Sequence, residues 1–346
     1  MRAHLAAGLT SITADDVPAL TAGASLLGSG GGGLVAVVDA LLRHRLGRVP
    51  VIAAADLPTD ALVVHVGVVG SPDVHDERLI NPADLAAAAR AVVEHLSGEL
   101  AAVGIIEIGG MNGPAAVVGA LELGVPVVDG DLMGRAFPSI EMTTLAVAGH
   151  AAAPLALVSP NGDTVVVTRA SPRMTLSVMN GTVRAMGGAA ALALYPTTAG
   201  TLVESGVAGS LSTCVQLGRA LLGARGSDAH TIVDALGGRL LAEGTVDDIH
   251  VRTDRAPGSI TLSLLDGSVA RIDHLDEILA VSHDGRMLAS TPAVLNALDA
   301  STLLPVRLDQ IRAGQVMVVF MLPALHSWPP GAVDPAAFGL DLESAP

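Results

Sequence analysis

The pattern of hydrophobic and polar positions is clearest in residues 101–138. An apolar run of strand length at 103–108 is broken by glycines, and an alanine- and leucine-rich stretch with helical spacing begins at Pro114. Gly124 ends that predicted helix, and a β-branched run follows at 125–128. So short a crossover between two strands predicts that the strands are parallel and that the connection is right-handed.

Similar patterns predict the other elements that precede residue 160. Thr13 has the residue type of a helix N-cap, and a helically spaced stretch follows it to Leu27. Further strands are predicted at 49–54 and 61–69, and further helices at 34–46, 84–96 and 142–148. Strands that alternate with helices favour an α/β domain with a largely parallel sheet, which we predict for residues 1–160.

Beyond residue 160 the pattern changes to short apolar runs separated by turn residues. These runs predict strands at 164–169 and 175–179, helices at 183–194 and 211–222, and then strands at 244–252, 259–265, 269–272, 278–282 and 316–321. The predicted fold class is therefore α/β, with an N-terminal α/β domain and a C-terminal mixed α+β, β-rich domain at 161–346. The boundary is predicted near residues 155–165.

Composition and charge then restrict the classes of function. A formal charge of −15, from 19 Lys and Arg against 34 Asp and Glu, argues against nucleic acid as a partner, and three Phe, one Trp and one Tyr leave few rings for stacking bases. Cys214 is the single cysteine, and its helical surroundings predict a buried small hydrophobe. Without an apolar run of about 18 residues, we expect no membrane association and a cytoplasmic location. Half of the residues are hydrophobic, which favours a homo-oligomer.

Polar side chains follow both strands of the 101–138 unit, where open α/β sheets place their ligand crevice. The candidate catalytic residues are Glu107, Asn112, Asp129, Asp131 and Arg135. Their oxygen ligands suit a divalent metal such as Mg²⁺, Ca²⁺ or Mn²⁺. The alternative is that the carboxylates bind loop N–H groups and pair with the arginine. The sequence leaves the metal undecided, and no other cofactor is indicated.

Two further stretches are candidate walls of the same crevice. The glycines at 28–33 match G-x-G-x-x-G, but the dinucleotide fingerprint requires a preceding strand and the preceding residues are predicted to be helical. They form either a close-packed turn between helices or a donor loop for a small-molecule substrate. The loop at 71–78 is either a wall of the crevice or a solvated loop. The candidate substrate-binding residues are Gly30, Gly31, Gly32, Gly33, Ser71 and His75.

A set of motifs spread over nearly the whole chain resembles the S-methyl-thiohydantoin desulfurase family. In the first half these motifs are LGSGGGG at 27–33, EIGGMN at 107–112 and DGDLMGRAFP at 129–138. In the second half they are GTVDD at 244–248, DE at 276–277, and TP at 291–292 before a predicted helix and a closing strand. The chain departs from the family pattern at Asp276, where asparagine is more usual.

The resemblance implies two domains and a hydrolase-type enzyme. Water would attack C2 of an S-methyl-thiohydantoin or thiohydantoin ring, and a thiol or sulfide would leave. Glu107 or Asp131 would be the general base, Asn112 and the N–H groups of 30–33 the donors, and Arg135 the anchor for a substrate carboxylate. The alternatives are another reaction on a small cyclic amide or imide in a biosynthetic pathway, or a non-catalytic partner subunit of a hydantoinase-like enzyme.

Overall fold

The computed structural model describes residues 8–45, 47–77, 79, 81–253 and 257–340. Within them, the first sheet has eight strands: β1 (Ser11–Thr13), β2 (Arg48–Ile52), β3 (Leu62–Gly70), β4 (Leu100–Ile105), β5 (Val127–Val128), β7 (Leu155–Val158), β8 (Thr164–Val167) and β9 (Ala189–Thr198). Their order is β1-β2-β5-β4-β3-β9-β7-β8. The four strands from β2 to β3 are parallel and the outer pairs are antiparallel. This parallel core confirms the predicted sheet.

Helices cover the sheet because parallel strands are apolar on both faces. The helices are α1 (Val17–Leu27), α2 (Val35–Arg45), α3 (Pro72–Glu77), α4 (Pro82–Leu96), α5 (Asn112–Leu123), α6 (Thr144–Val147), α7 (Pro172–Ala185), α8 (Ala199–Ser205), α9 (Ser210–Gly223) and α10 (Ala229–Ala235). Short 3₁₀ turns lie at Ala14–Asp16, Ala54–Asp56, Ile140–Met142, Leu308–Gln310 and Pro335–Phe338. α5 packs on β3 and β4, and α4 packs on β3. The crossover from β4 through α5 to β5 joins two parallel strands, as predicted.

The second sheet is antiparallel. In the part of the chain that the structure describes, its strands are β11 (Arg239–His250), β12 (Gly258–Leu264), β13 (Val269–His274), β14 (Ile278–His283), β15 (Arg286–Ser290), β16 (Val294–Asp299) and β17 (Val316–Leu322), in the order β15-β14-β13-β12-β11-β17-β16. A separate short pair joins β6 (Gly130–Asp131) to β10 (Val207–Ala208). The β-rich second half is confirmed.

Three predicted elements are wrong. The strand predicted at 175–179 lies inside α7, which Ser171 caps and Pro172 begins. The helix predicted at 183–194 ends by Ala185, and the alanine-rich run after it is β9, because pairing with β3 and β7 outweighs the weak strand propensity of alanine. β16 replaces the helix predicted after the Thr-Pro pair at 291–292. The boundary near 155–165 stays a prediction, and β9, which lies beyond it, belongs to the first sheet.

Two glycines set the distance between α1 and α9. A Cβ on Gly23 would lie 1.8 Å from the carbonyl oxygen of Cys214, and one on Gly218 would lie 1.7 Å from that of Ala19. The backbones therefore touch at these points. Cys214 is buried at this contact, and burial raises the pKa of its thiol, which confirms the predicted small hydrophobe.

We expect Gly218→Ala to lower the free energy of unfolding by about 1–3 kcal/mol, because the new methyl group has to push the two helices apart. Urea denaturation measures the effect. Gly223→Ala is the matched control in the same helix, since its Cβ would meet nothing within 4 Å. It should leave stability unchanged or raise it by about 0.5–1 kcal/mol. Equal destabilisation by the two variants would contradict the close contact.

Candidate functional site

A cavity of about 200 Å³ lies where the carboxyl ends of β3 and β4 approach the second sheet. Its walls combine residues of the first sheet with the loop between β13 and β14. Apolar side chains such as Met111, Met133 and Phe137 line much of it. The polar side chains in the wall are His75, Glu107, Asn112, Ser139, Asp276 and Glu277, and Gly32 and Gly33 contribute backbone.

Glu107 and Asn112 form the hydrogen-bonded centre of this cavity. Glu107 follows β4, and Asn112 is the first residue of α5, so the intervening glycine turn brings them together. The Asn112 Nδ2 group donates to Glu107 Oε1 at 2.6 Å, and Asn112 Oδ1 accepts from the Val68 N–H at 2.7 Å. The Phe137 N–H lies 3.4 Å from Glu107 Oε2. The carboxyl group is thus held in one orientation at the cavity wall.

The pKa of Glu107 is raised to about 7, mainly because burial removes the carboxyl group from bulk water. The side chain keeps some accessible surface because it faces the cavity. Hydrogen bonds from Asn112 and Phe137 and the charge of Arg135 lower this pKa, whereas the charge of Asp131 raises it. A carboxyl group with such a pKa accepts and releases protons near neutral pH.

Glu277 is a second carboxyl group in the same cavity, and it is absent from the predicted site. Its side chain is 4% exposed. Burial, followed by the charges of Glu107 and Asp276, raises the pKa of Glu277 well above its ordinary value, while Arg135 and Arg252 lower it. The Asp-Glu pair in the family motif is the signal that marks this position. When two carboxyl groups share one cavity, the repulsion between their charges favours a state in which one of them is protonated.

Arg135 lies behind these carboxyl groups, outside the cavity lining. Its guanidinium N–H groups donate to the carbonyl oxygens of Ala136, Ala293 and Ile278 at 3.0, 2.6 and 2.8 Å. Burial lowers its pKa to about 10, and the charges of Glu277 and Glu107 oppose that effect. The structure therefore places this cation as a link between the two sheets.

Asp129 and Asp131 lie in a different cavity of about 340 Å³. Asp131 Oδ2 accepts the N–H groups of Ile108, Met133 and Gly134 at 2.9, 3.2 and 2.8 Å. Burial raises the pKa of Asp131 to about 6. Asp129 accepts from the backbone N–H and the hydroxyl group of Ser212 at 2.9 and 2.6 Å. These contacts match the alternative interpretation, in which the carboxylates organise loops.

The glycine loop is a close-packed turn between α1 and α2. Gly32 and Gly33 line the first cavity, whereas Gly30 and Gly31 pack against the second half of the chain. A Cβ on Gly32 would lie 2.7 Å from the Cα of Gly110. α1 precedes the loop, so the strand that a dinucleotide fingerprint requires is replaced by a helix.

Residues 71–77 of the predicted loop contain α3, which places His75 in the wall of the first cavity, and Arg78 lies outside the described residues. Ser71 is exposed and lies outside the lining.

Across the described residues, no group of three His, Cys, Asp or Glu side chains is arranged to hold a metal ion. In the same residues, each helix is too short or too polar to cross a membrane.

These observations define an α/β protein with two sheets and a small acidic cavity between them. The chain belongs to the S-Me-THD-like family. The family's N-terminal domain matches residues 15–169, and its C-terminal domain matches residues 171–346. This match confirms the resemblance and supports an enzymatic function related to thiohydantoins in general.

A crystal structure of a protein from Chromobacterium violaceum has a similar fold, with a TM-score of 0.79 and 24% sequence identity. The similarity covers 91% of this chain and 92% of that chain. No curated protein matches the sequence. The solved structure therefore supports the architecture, and the family match supports the general class of function.

Proposed function

We propose that the chain is a hydrolase that acts on a small cyclic amide such as an S-methyl-thiohydantoin, in the cavity that contains Glu107. The observation that carries this proposal is the Glu107 carboxyl group, which Asn112 orients and whose pKa is about 7. The family match supports a thiohydantoin-related function in general, and we take the substrate class from it. A general base is most effective when its pKa lies near the working pH.

In the proposed reaction, Glu107 takes a proton from water while the water oxygen bonds to C2 of the ring. The electron pair of the C2=N bond moves to the ring nitrogen, which gains a proton. The C2–S bond then breaks, and the sulfur leaves as methanethiol with the second proton of the water molecule. The products are a hydantoin and a thiol. For an unmethylated thiohydantoin, water adds across the C2=S bond, the electron pair moves to sulfur, and collapse of the adduct to C2=O breaks the C2–S bond and releases hydrogen sulfide.

Glu277 and Arg135 have supporting roles in this proposal. Burial and the neighbouring carboxyl groups raise the pKa of Glu277, which favours its protonated form, and in this proposal that form donates its proton to the ring or to the leaving sulfur. The charge of Arg135 acts on both carboxyl groups, so it stabilises Glu107 once that group is ionised. Arg135 is here a positioning residue, because its N–H groups bind backbone carbonyls.

Glu107 is the better candidate for the base than Asp131. One oxygen of Asp131 already accepts three backbone N–H groups, which fixes the loop that follows β6. Its carboxyl group also lies beside the other cavity. Glu107, in contrast, shares a cavity with Asn112, Glu277 and the glycine N–H groups that would surround a ring.

The test is to incubate the purified chain with an S-methyl-thiohydantoin and to measure thiol release and product mass. We expect kcat/KM to fall about tenfold per pH unit below pH 7 and to be level above it, because Glu107 must be ionised to accept a proton and its folded-state pKa is about 7. A flat profile between about pH 5.5 and 8 would exclude Glu107 as the base.

The alternatives give different results in the same assay. Substrate consumption without thiol release would indicate another reaction on the cyclic amide. Turnover that requires an added hydantoinase-like protein would support the role of a non-catalytic subunit. Activity that a chelator removes and Mg²⁺ or Mn²⁺ restores would reveal a metal requirement.

A further inference from the structure

The larger cavity, of about 340 Å³, has no lining residue in common with the cavity of Glu107. It lies beside the carboxyl ends of β2 and β5, between the 3₁₀ turn Ala54–Asp56 and the segment 202–209. Side chains such as Val128, Leu202 and Val207 make its wall mostly apolar. Its volume exceeds the roughly 150 Å³ of an engineered apolar cavity that binds benzene.

His65 is the polar side chain that distinguishes this cavity. It projects from the middle of β3, is 1% exposed and lines the cavity. Room for its ring exists because the neighbouring residue on β4 is Gly104, where a Cβ would lie 2.4 Å from His65 Cδ2. The sequence thus provides an imidazole at an apolar wall, together with a glycine beside it that leaves space for the ring.

The tautomer of His65 follows from its hydrogen bond. Its Nδ1 lies 2.8 Å from the carbonyl oxygen of Tyr195, and a carbonyl oxygen only accepts, so Nδ1 carries the proton. Burial lowers the pKa of His65 to about 4, so the ring is neutral at pH 7. Nε2 is then the acceptor nitrogen of the ring.

The carboxylates on the same wall do not compete for a ligand's donor. Both oxygens of Asp129 accept from Ser212. Asp131 Oδ2 is bound to three N–H groups; Asp131 Oδ1 has no hydrogen-bond partner among the described residues, but its accessible surface is negligible, so a molecule in the cavity does not reach it. Among the side chains that line this cavity, His65 Nε2 is therefore the best-placed acceptor for a bound molecule, and leaving an acceptor unsatisfied in an apolar enclosure is unfavourable.

We propose that this second cavity binds a small, uncharged, apolar molecule that carries one hydrogen-bond donor, with the donor directed at His65 Nε2. A bicyclic aromatic compound with a ring N–H matches the size of the cavity, its apolar wall and its single acceptor. Exposed residues at the mouth, such as Ala53 and Val203, give such a molecule a route from solvent. The site does not depend on the reaction proposed for Glu107.

Indole and 1-methylindole are the matched probes, because they differ in the N–H group that would reach His65. We expect isothermal titration to show binding of indole and at least about tenfold weaker binding of 1-methylindole, which corresponds to the loss of one hydrogen bond to a buried acceptor. In His65→Phe the two probes should bind equally. Absence of indole binding up to about 1 mM, or equal affinities for the wild-type protein, would overturn the proposal.

A second pair of variants locates the probe without disturbing the buried histidine. Val203 lines the cavity and is 57% exposed, so Val203→Trp should cover the mouth and weaken indole binding at least tenfold, about 1.4 kcal/mol. Val251→Trp is the control, since Val251 is 79% exposed and lies outside the lining. Unchanged affinity in Val203→Trp, or equal loss in both variants, would place indole elsewhere and overturn the assignment.

Discussion

Glu107→Gln is expected to lower kcat/KM for an S-methyl-thiohydantoin by about 10²–10⁴-fold, the range typical of losing a general base. Glutamine has the same shape, and its Oε1 can still accept from Asn112 Nδ2, so the cavity should keep its form. The variant loses the ability to take a proton from water, together with the long contact from the Phe137 N–H, which the amide nitrogen cannot accept. Steady-state thiol release, measured with circular dichroism to verify folding, tests this expectation.

The matched control is Glu122→Gln, the same chemical change on the surface of α5, where Glu122 pairs with Arg45 at 3.7 Å. That variant should retain wild-type kcat/KM. If Glu107→Gln also retains it in a folded protein, Glu107 is not the base, and the proposed mechanism fails.

Glu107→Gln should also change stability in the opposite direction to activity. The pKa of Glu107 is about 7 in the folded protein and near 4.5 in the unfolded chain. Between these values the unfolded chain releases the proton while the folded protein keeps it, so stability falls as pH rises through this window. Glutamine does not ionise, so the variant does not lose this stability as the pH rises. We therefore expect the variant to be more stable than the wild type above pH 7, and urea denaturation at pH 5 and pH 8 measures the difference.

Arg135→Met is expected to lower the free energy of unfolding by about 3–5 kcal/mol, the usual result of removing one partner from a buried charge cluster. Three carbonyl groups lose their donors, and the carboxyl groups of Glu107 and Glu277 lose the neighbouring cation. The loss should be larger at pH 8 than at pH 5.5, because Glu107 is ionised only at the higher pH. Urea denaturation at both pH values measures it.

Arg252→Met is the control for this effect. Arg252 pairs with Asp276 at 2.5 Å, but both side chains are substantially exposed. Solvent screening limits such a pair to about 0–1 kcal/mol. An Arg135→Met variant no less stable than Arg252→Met would show that Arg135 does not link the two sheets. In a folded Arg135→Met protein, the pH profile of activity should also shift upward, because the cation that favours ionised Glu107 is missing.

The chain's local patterns were sufficient for the central parallel unit. Glycines interrupt the apolar run after β4, and Pro114 lies in the first turn of α5. Gly124 ends the helix in a left-handed conformation. The residue types that predicted the ends of these elements therefore lie where the elements end. The helix before the glycine loop was equally predictable, and it separated a close-packed turn from a cofactor fingerprint. These features depend on residues a few positions apart.

Tertiary structure decided the elements whose local signal was weak or contrary. The run after Gly188 is rich in alanine and favours a helix by itself, but between β3 and β7 its backbone groups complete the sheet. α7 contains a stretch with strand-like residues, yet Ser171 and Pro172 begin a helix there. Local propensity is smaller than the free energy of completing a sheet.

Some residues of the candidate site could be assigned from the sequence, and others only from the tertiary structure. The sequence determined that Glu107 and Asn112 lie together after β4, because one short turn connects them. Only the tertiary structure decided that Glu277 joins them from the second sheet and that Asp131 faces another cavity. Spacing along the chain constrains neighbours within one element, whereas the packing of distant elements determines which carboxyl groups share a cavity and therefore how their pKa values change.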